Sequence, residues 1–312
     1  MRVIPLIAVL GGCLALPVHA AESWLQRLAQ ADRQSFIGTF IYERNGSFST
    51  HGIWHSGGKA GVAERLLQLD GPAQETLRID GKPQCMSGAL GEQVVDAQWP
   101  ARKLNVAELE QRYDLRVLGS SRVAGRSATV LALIPKDQHR YAFELHLDDE
   151  TALPLKSLLI SEKGQLLERF QFVSLNLADE ISGDMLKPGD ACRPVSMVAV
   201  TELPQSWKAG WVPPGFDLTQ ALHCSSPVSS DPVACLMYGD GLARFTIFLE
   251  PLQSASVEDA RTQLGPTAVV SRRMSTVGGD MMVTVVGEIP LGTAERVALS
   301  MQSATAIESS SR

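Results

Sequence analysis

His51 and His55 are four residues apart, the spacing that on a helix would place two imidazoles over one metal ion. Here they lie in a strand-like run beside Gly52, Gly57 and Gly58, where four residues span roughly 13 Å at ~3.3 Å each, too far to share a ligand. They read as solvent or hairpin-face histidines, and no metal site is expected. Asp148-Asp149-Glu150 carries the charge of a calcium cluster but directly follows a strand-like run and lacks EF-hand spacing, so it reads as a solvated turn. There is no GxSxG elbow, HExxH, P-loop or GxGxxG between a strand and a helix. The chemistry expected is therefore binding without turnover and without a cofactor.

What remains is apolar surface. Phe36, Phe40, Tyr42, Ile53, Tyr141, Phe143, Leu145, Phe170 and Phe172 recur in strand-like segments. Each alone reads as core. Together, on a sheet too long and curved for one short helix to fill, they are candidates to line a lipid or peptide site. Arg65, Arg78, Arg140 and Lys156 near the same strands are rim candidates for phosphate or carboxylate groups, with ordinary surface charge as the alternative. The net charge of -6 and the lack of a basic run argue against nucleic acid as a partner.

Four of the five cysteines, Cys85, Cys192, Cys224 and Cys235, follow the amino-terminal segment. In an oxidising compartment they permit two disulfides. Cys224 and Cys235 are the candidate pair, because they flank a short turn-rich segment that closes at little entropic cost. Four buried thiols are the other reading. No CxxC spacing supports redox chemistry or a zinc knuckle.

The elements that must position these residues begin after an export signal. Met1-Arg2, the apolar run Val3–Leu16 and the small-x-small site Val18-His19-Ala20 predict cleavage before Ala21. Leu10-Gly11-Gly12-Cys13 resembles a lipoprotein box and gives a second reading. No later stretch has the ~18 apolar residues of a membrane span. Ala21 to Gln34 is expected to be an amphipathic helix capped by Ser23. Strand-like runs Phe36–Glu43 and Phe48–His55 flank Asn45-Gly46, the strongest short hairpin signal, and a two-residue turn there pairs Ile41 with Thr50 and Phe40 with His51. Further strands are expected from Glu64 to Leu175, interrupted by a helix over Asn105–Tyr113 with Asn105 as its cap. Such a meander predicts an open barrel or strongly curved sheet. Residues 179–205, rich in proline, read as a linker. A smaller α+β domain should follow over 206–304, with helices at Val257–Leu264 and Gly292–Gln302, then a flexible tail at 305–312.

Several of these segments resemble one family as a set. They are Gly38–Gly46, Arg122–Arg126, Asp137–Asp148, Leu153–Ser157, Leu167–Phe172, Trp211–Phe216, Tyr238–Phe245 and Gly287–Pro290. The chain is similar across nearly all its length to the MucB/RseB family of periplasmic sigma-factor regulators. The resemblance implies a large amino-terminal half-barrel like that of lipoprotein carriers, with covering helices, and a smaller carboxy-terminal α+β domain. It implies a periplasmic negative regulator that binds the periplasmic region of a MucA/RseA-type membrane-spanning anti-sigma factor, shields it from regulated proteolysis, and is released by lipopolysaccharide or another lipid. Membrane association would come only through that partner, and pairing with a second copy stays open. A periplasmic lipid or lipoprotein carrier is the alternative. The matching segments are largely strands and turns, so no binding residue is carried over.

Overall fold

A computed structural model describes residues 17–58, 61–72, 74–87, 105–194, 207–225, 232–252, 258–276 and 279–303. Most of the expected signal and all of the expected tail lie outside these residues; Pro17–Ala20 form the first turn of α1.

Helix α1, Pro17–Leu28, opens the described chain and gives way to a 3-10 turn at Ala31–Arg33. The expected helix to Gln34 is therefore too long at its end, and Ser23 lies inside the helix rather than at its cap. Ten strands follow: β1 Ser35–Arg44, β2 Ser47–Ser56, β3 Ala63–Gln68, β4 Glu75–Ile79, β5 Lys82–Met86, β6 Tyr113–Val123, β7 Arg126–Pro135, β8 Ala142–Asp148, β9 Pro154–Ile160 and β10 Leu166–Ala178. With β11, Arg193–Pro194, they form one antiparallel sheet in the order β11-β5-β4-β3-β2-β1-β10-β9-β8-β7-β6. Helix α2, Val106–Arg112, precedes β6, and its Glu108 N–H donates to Asn105 Oδ1 at 3.4 Å as the cap requires.

The tight turns follow from local sequence. Asn45-Gly46, Asp80-Gly81 and Ala124-Gly125 all have positive φ at both central positions, the geometry whose twist matches that of paired strands. Asn45-Gly46 gives the expected register, Ile41 opposite Thr50 and Phe40 opposite His51. The sheet is strongly curled. Val123 of β6 shares a buried cluster with Phe36, Phe40 and Phe172 of β1 and β10. In a flat sheet β6 and β10, four spacings apart, would be separated by about 19 Å. Helices α1 and α2 close part of the concave side, burying Leu25 and Leu109 against Leu131, Leu133, Leu145 and Leu147.

The second sheet, β13-β14-β15-β18-β17-β16, contains β13 Asp217–Ser225, β14 Pro232–Gly239, β15 Arg244–Pro251, β16 Ala260–Leu264, β17 Thr267–Thr276 and β18 Gly279–Gly287. Helix α3, Leu291–Leu299, packs Ala294, Val297 and Ala298 on Val270, Val283 and Val285. A small ribbon pairs β12, Trp207–Ala209, with β19, Met301–Ser303. Two sequence expectations fail here. The helix expected over Val257–Leu264 is replaced at Ala260–Leu264 by β16, whose pairing with β17 overrides its weak helical pattern. The last helix stops at Leu299 because Met301 onward pairs with β12.

The segment read as a linker is anchored in its first half. Ile181 is buried, Gly189 N–H donates to Glu75 Oε2 at 2.8 Å, and Arg193–Pro194 pair with β5. A disulfide joins Cys85 of β5 to Cys192, with Cα atoms 5.4 Å apart, a bridge that spacing does not single out. Cys235 is also disulfide-bonded. The Cys224 side chain, the other half of the candidate pair, lies outside the described residues.

Candidate functional site

Alternation along β1 and β10 sorts the concave face from one end to the other. The inward pairs are Phe40 with Phe172, Tyr42 with Phe170, and Arg44 with Glu168. At one end the space is filled by the chain itself. Phe36 and Phe40 are fully buried, Phe172 is 1% exposed and Ile53 5% exposed. His55 stacks on Phe36 at 4.7 Å and His51 on Phe40 at 5.1 Å. The two histidines are thus core residues and not solvent-facing ones; His55 is held between Glu64 Oε1 at 2.9 Å and the Asp32 carbonyl at 2.8 Å. Gly38 belongs to this end because a methyl group there would lie 2.5 Å from the Phe172 ring. Phe36, Phe40, Ile53 and Phe172 therefore lie in the buried core.

The other end is open and faces the second domain across a cavity of about 610 Å3. Phe143, Leu145, Leu159, Phe170 and Glu168 form its first wall, and Met237, Tyr238, Leu242, Arg244, Phe245 and Glu288 its second. Volume and a mainly apolar lining with a few polar groups are those of a small-ligand or side-chain pocket. Of the nine apolar candidates, Phe143, Leu145 and Phe170 line it.

Two polar clusters join the domains. Arg140, placed at a rim by sequence, is instead fully buried with Asp240, its Nε donating to Asp240 Oδ2 at 2.5 Å. Its guanidinium also donates to the Pro214 carbonyl at 2.6 Å and lies 4.7 Å from the centre of Phe216. Asp240 Oδ1 accepts from the N–H groups of Leu242 and Ala243 at 2.9 and 2.8 Å, so the carboxylate is fixed by its own turn. Burial, and then the nearby Asp240, hold the Tyr113 phenol well above its ordinary acidity range. Tyr141 donates from its hydroxyl to the Ile289 carbonyl at 3.0 Å, so it too is an interdomain contact. Removing one partner of so buried an ion pair typically costs about 3–5 kcal/mol.

The second cluster is at the cavity. Tyr42 donates to Glu168 Oε2 at 2.7 Å. Arg44 lies 3.5 Å from Glu168 and 3.2 Å from Glu288, and also donates to Thr267 Oγ1. Burial, then the Glu288 charge, push the Glu168 carboxyl up to about 7.

The remaining rim candidates stand elsewhere. Arg65 donates to Glu75 Oε1 at 2.5 Å and covers Trp54 at 4.9 Å. Arg78 is buried 3.8 Å from Glu64. Lys156 is half-buried and acts electrostatically on His146. None of the three lines the cavity. Asp148 is buried and held by Arg126 at 2.7 and 2.9 Å, a correction to its reading as solvated.

Ser121, His146 and Glu144 are linked at 2.7 and 2.9 Å, distances that a catalytic triad would show. His146 and Glu144 alternate with Leu145 along β8, and Ser121 lies on β6 opposite the buried Ala128.

Sequence reasoning missed Arg44, Glu168, Asp240 and Glu288. Continuing the alternation by two residues, from Tyr42 to Arg44 and from Phe170 to Glu168, would have found the first two. The others sit in Tyr238–Phe245 and Gly287–Pro290, segments singled out for resemblance and read only as structural turns.

Comparison with known proteins agrees with this architecture. Residues 20–189 match the MucB/RseB N-terminal domain and residues 201–302 the MucB/RseB C-terminal domain. The chain is 59% identical to the sigma factor AlgU regulatory protein MucB of Pseudomonas aeruginosa, over 97% of this chain and 98% of that one. It is 28% identical to the sigma-E factor regulatory protein RseB of Escherichia coli K12, over 75% of each. Among solved structures, a Pseudomonas aeruginosa MucA/MucB complex superimposes with a TM-score of 0.80 at 60% identity, covering 91% of this chain and 99% of that one. The chain belongs to the MucB/RseB family of sigma factor regulatory proteins.

Proposed function

We propose that this protein is a periplasmic negative regulator of an extracytoplasmic-function sigma factor. It binds the periplasmic region of a MucA/RseA-type membrane-spanning anti-sigma factor and keeps it from regulated proteolysis. Lipopolysaccharide or another lipid releases it. The observation that carries this reading is the likeness, at 60% identity over 91% of this chain, to a chain of the Pseudomonas aeruginosa MucA/MucB complex structure. The two-walled cavity supports it, because the second wall comes from a domain that a simple lipid carrier would not need. No described helix is long and apolar enough to cross a membrane, which fits attachment through a partner.

Inhibition then requires only mass action: a bound partner populates its protease-sensitive form less. Release requires a lipid with higher affinity for the free protein than for the complex. Acyl chains would enter at Phe143, Leu145 and Phe170, not at Phe36 or Phe40. The test is cleavage of a purified MucA-type periplasmic region by its protease. The protein should slow cleavage, and added lipopolysaccharide should restore it; cleavage at an unchanged rate would reject the reading.

A further inference from the structure

We propose that Arg44, shared between Glu168 of the first domain and Glu288 of the second, is a proton-operated latch that closes the interdomain cleft more tightly as the pH falls. The geometry places two carboxylates of different domains around one guanidinium, at 3.5 and 3.2 Å, at the edge of a cavity. Glu168 is only 8% exposed and Glu288 stands across the domain boundary, so closing the cleft is what brings the second negative charge to the first. A proton on Glu168 removes that repulsion, while Arg44 keeps Glu288 and the Tyr42 hydroxyl keeps an acceptor.

Among the described residues, several groups surround Glu168. On β1 they are Tyr42 and Arg44. On β9 the paired residue is Leu159, with Ser157 beside it, neither of them charged. From β17 comes the neutral Thr267 hydroxyl. Arg244 of β15 lines the same cavity, and its carbonyl accepts from the Glu288 N–H at 3.1 Å. Tyr141 is held above its ordinary range by burial first and then by Glu162 and Glu288. Glu43 and Arg169 pair with each other at 3.2 Å on the opposite face of the same strands.

The sign follows from linkage. Glu168 binds its proton more tightly in the closed form, where it titrates at about 7, than in an opened, hydrated form near the usual carboxylate range. Closure is therefore strongest below about pH 4–5 and weakens as the pH rises to about 7. The latch does not depend on which ligand enters the cleft.

Small-angle scattering of the full chain from pH 4.5 to 8.5, with circular dichroism at each pH to confirm folding, tests the latch. The radius of gyration should rise with pH in the unaltered protein. Glu168→Gln should hold the low-pH value throughout, and Glu288→Gln should reduce the response. A radius of gyration that does not change with pH, or one that changes equally in Glu168→Gln, overturns the proposal. If either variant is misfolded, the pH response of the other decides.

Discussion

The two ends of one concave face, only a few residues apart along β1 and β10, have opposite fates. At the Phe36 end, aromatic rings stack on each other and on His51 and His55, and the chain fills its own interior. At the Arg44 end the same alternation delivers Glu168 and Phe170 to a cavity that the second domain only partly closes, with Tyr42 and Arg44 held against Glu168. The difference teaches that a curved sheet does not by itself create a binding site. A site arises where the inward residues change from large rings, which pack to crystal-like density, to charged groups, which must find partners from elsewhere.

This contrast can be broken most severely at the packed end. Phe40→Ala should cost about 3–5 kcal/mol of stability in denaturant unfolding, the range for an aromatic ring removed from a core. A loss under about 1 kcal/mol would mean that this end is not packed as described.

The histidine beneath Phe40 sharpens the same point through pH. Burial lowers His51 to about 4, opposed by Asp70, so the folded state excludes a proton that the unfolded chain takes up at about 6.5. Stability from this group is full above about 6.5 and is lost as the pH falls toward 4, by up to about 3 kcal/mol. His51→Gln should flatten that part of the stability profile; an unchanged profile would place the imidazole in water.

The smallest effect on folding is expected at the open end. Phe143→Ala should cost about 1–2 kcal/mol of stability, because the ring is only half-buried. Binding of a fluorescent long-chain acyl amphiphile should nevertheless weaken about tenfold, a change of ~1.4 kcal/mol. Weaker binding in Phe40→Ala but not in Phe143→Ala would reverse the assignment of the two ends.

Much of this was legible in the residues. Asn45-Gly46 fixed the first hairpin and its register, and period-two alternation marked Phe36, Phe40 and Tyr42 as sharing a face. Asn105 marked the start of α2. The errors have a common origin. Arg140 reads as a rim residue from its place near the strands, and only the approach of Asp240, 100 residues later, compensates its burial. Residues 260–264 read as helix because local pattern is weak over so short a span and strand pairing is non-local. The half-anchored linker depended on Cys85 meeting Cys192 across a separation of 107 residues.

The sequence by itself determined turns, faces and strand polarity, because these depend on backbone preferences and on the alternation of neighbouring side chains. Which part of the concave face stays open was decided only by tertiary structure. That outcome depends on how far the sheet curls and on which residues a second domain brings against it, and both are set by contacts between segments far apart in the chain.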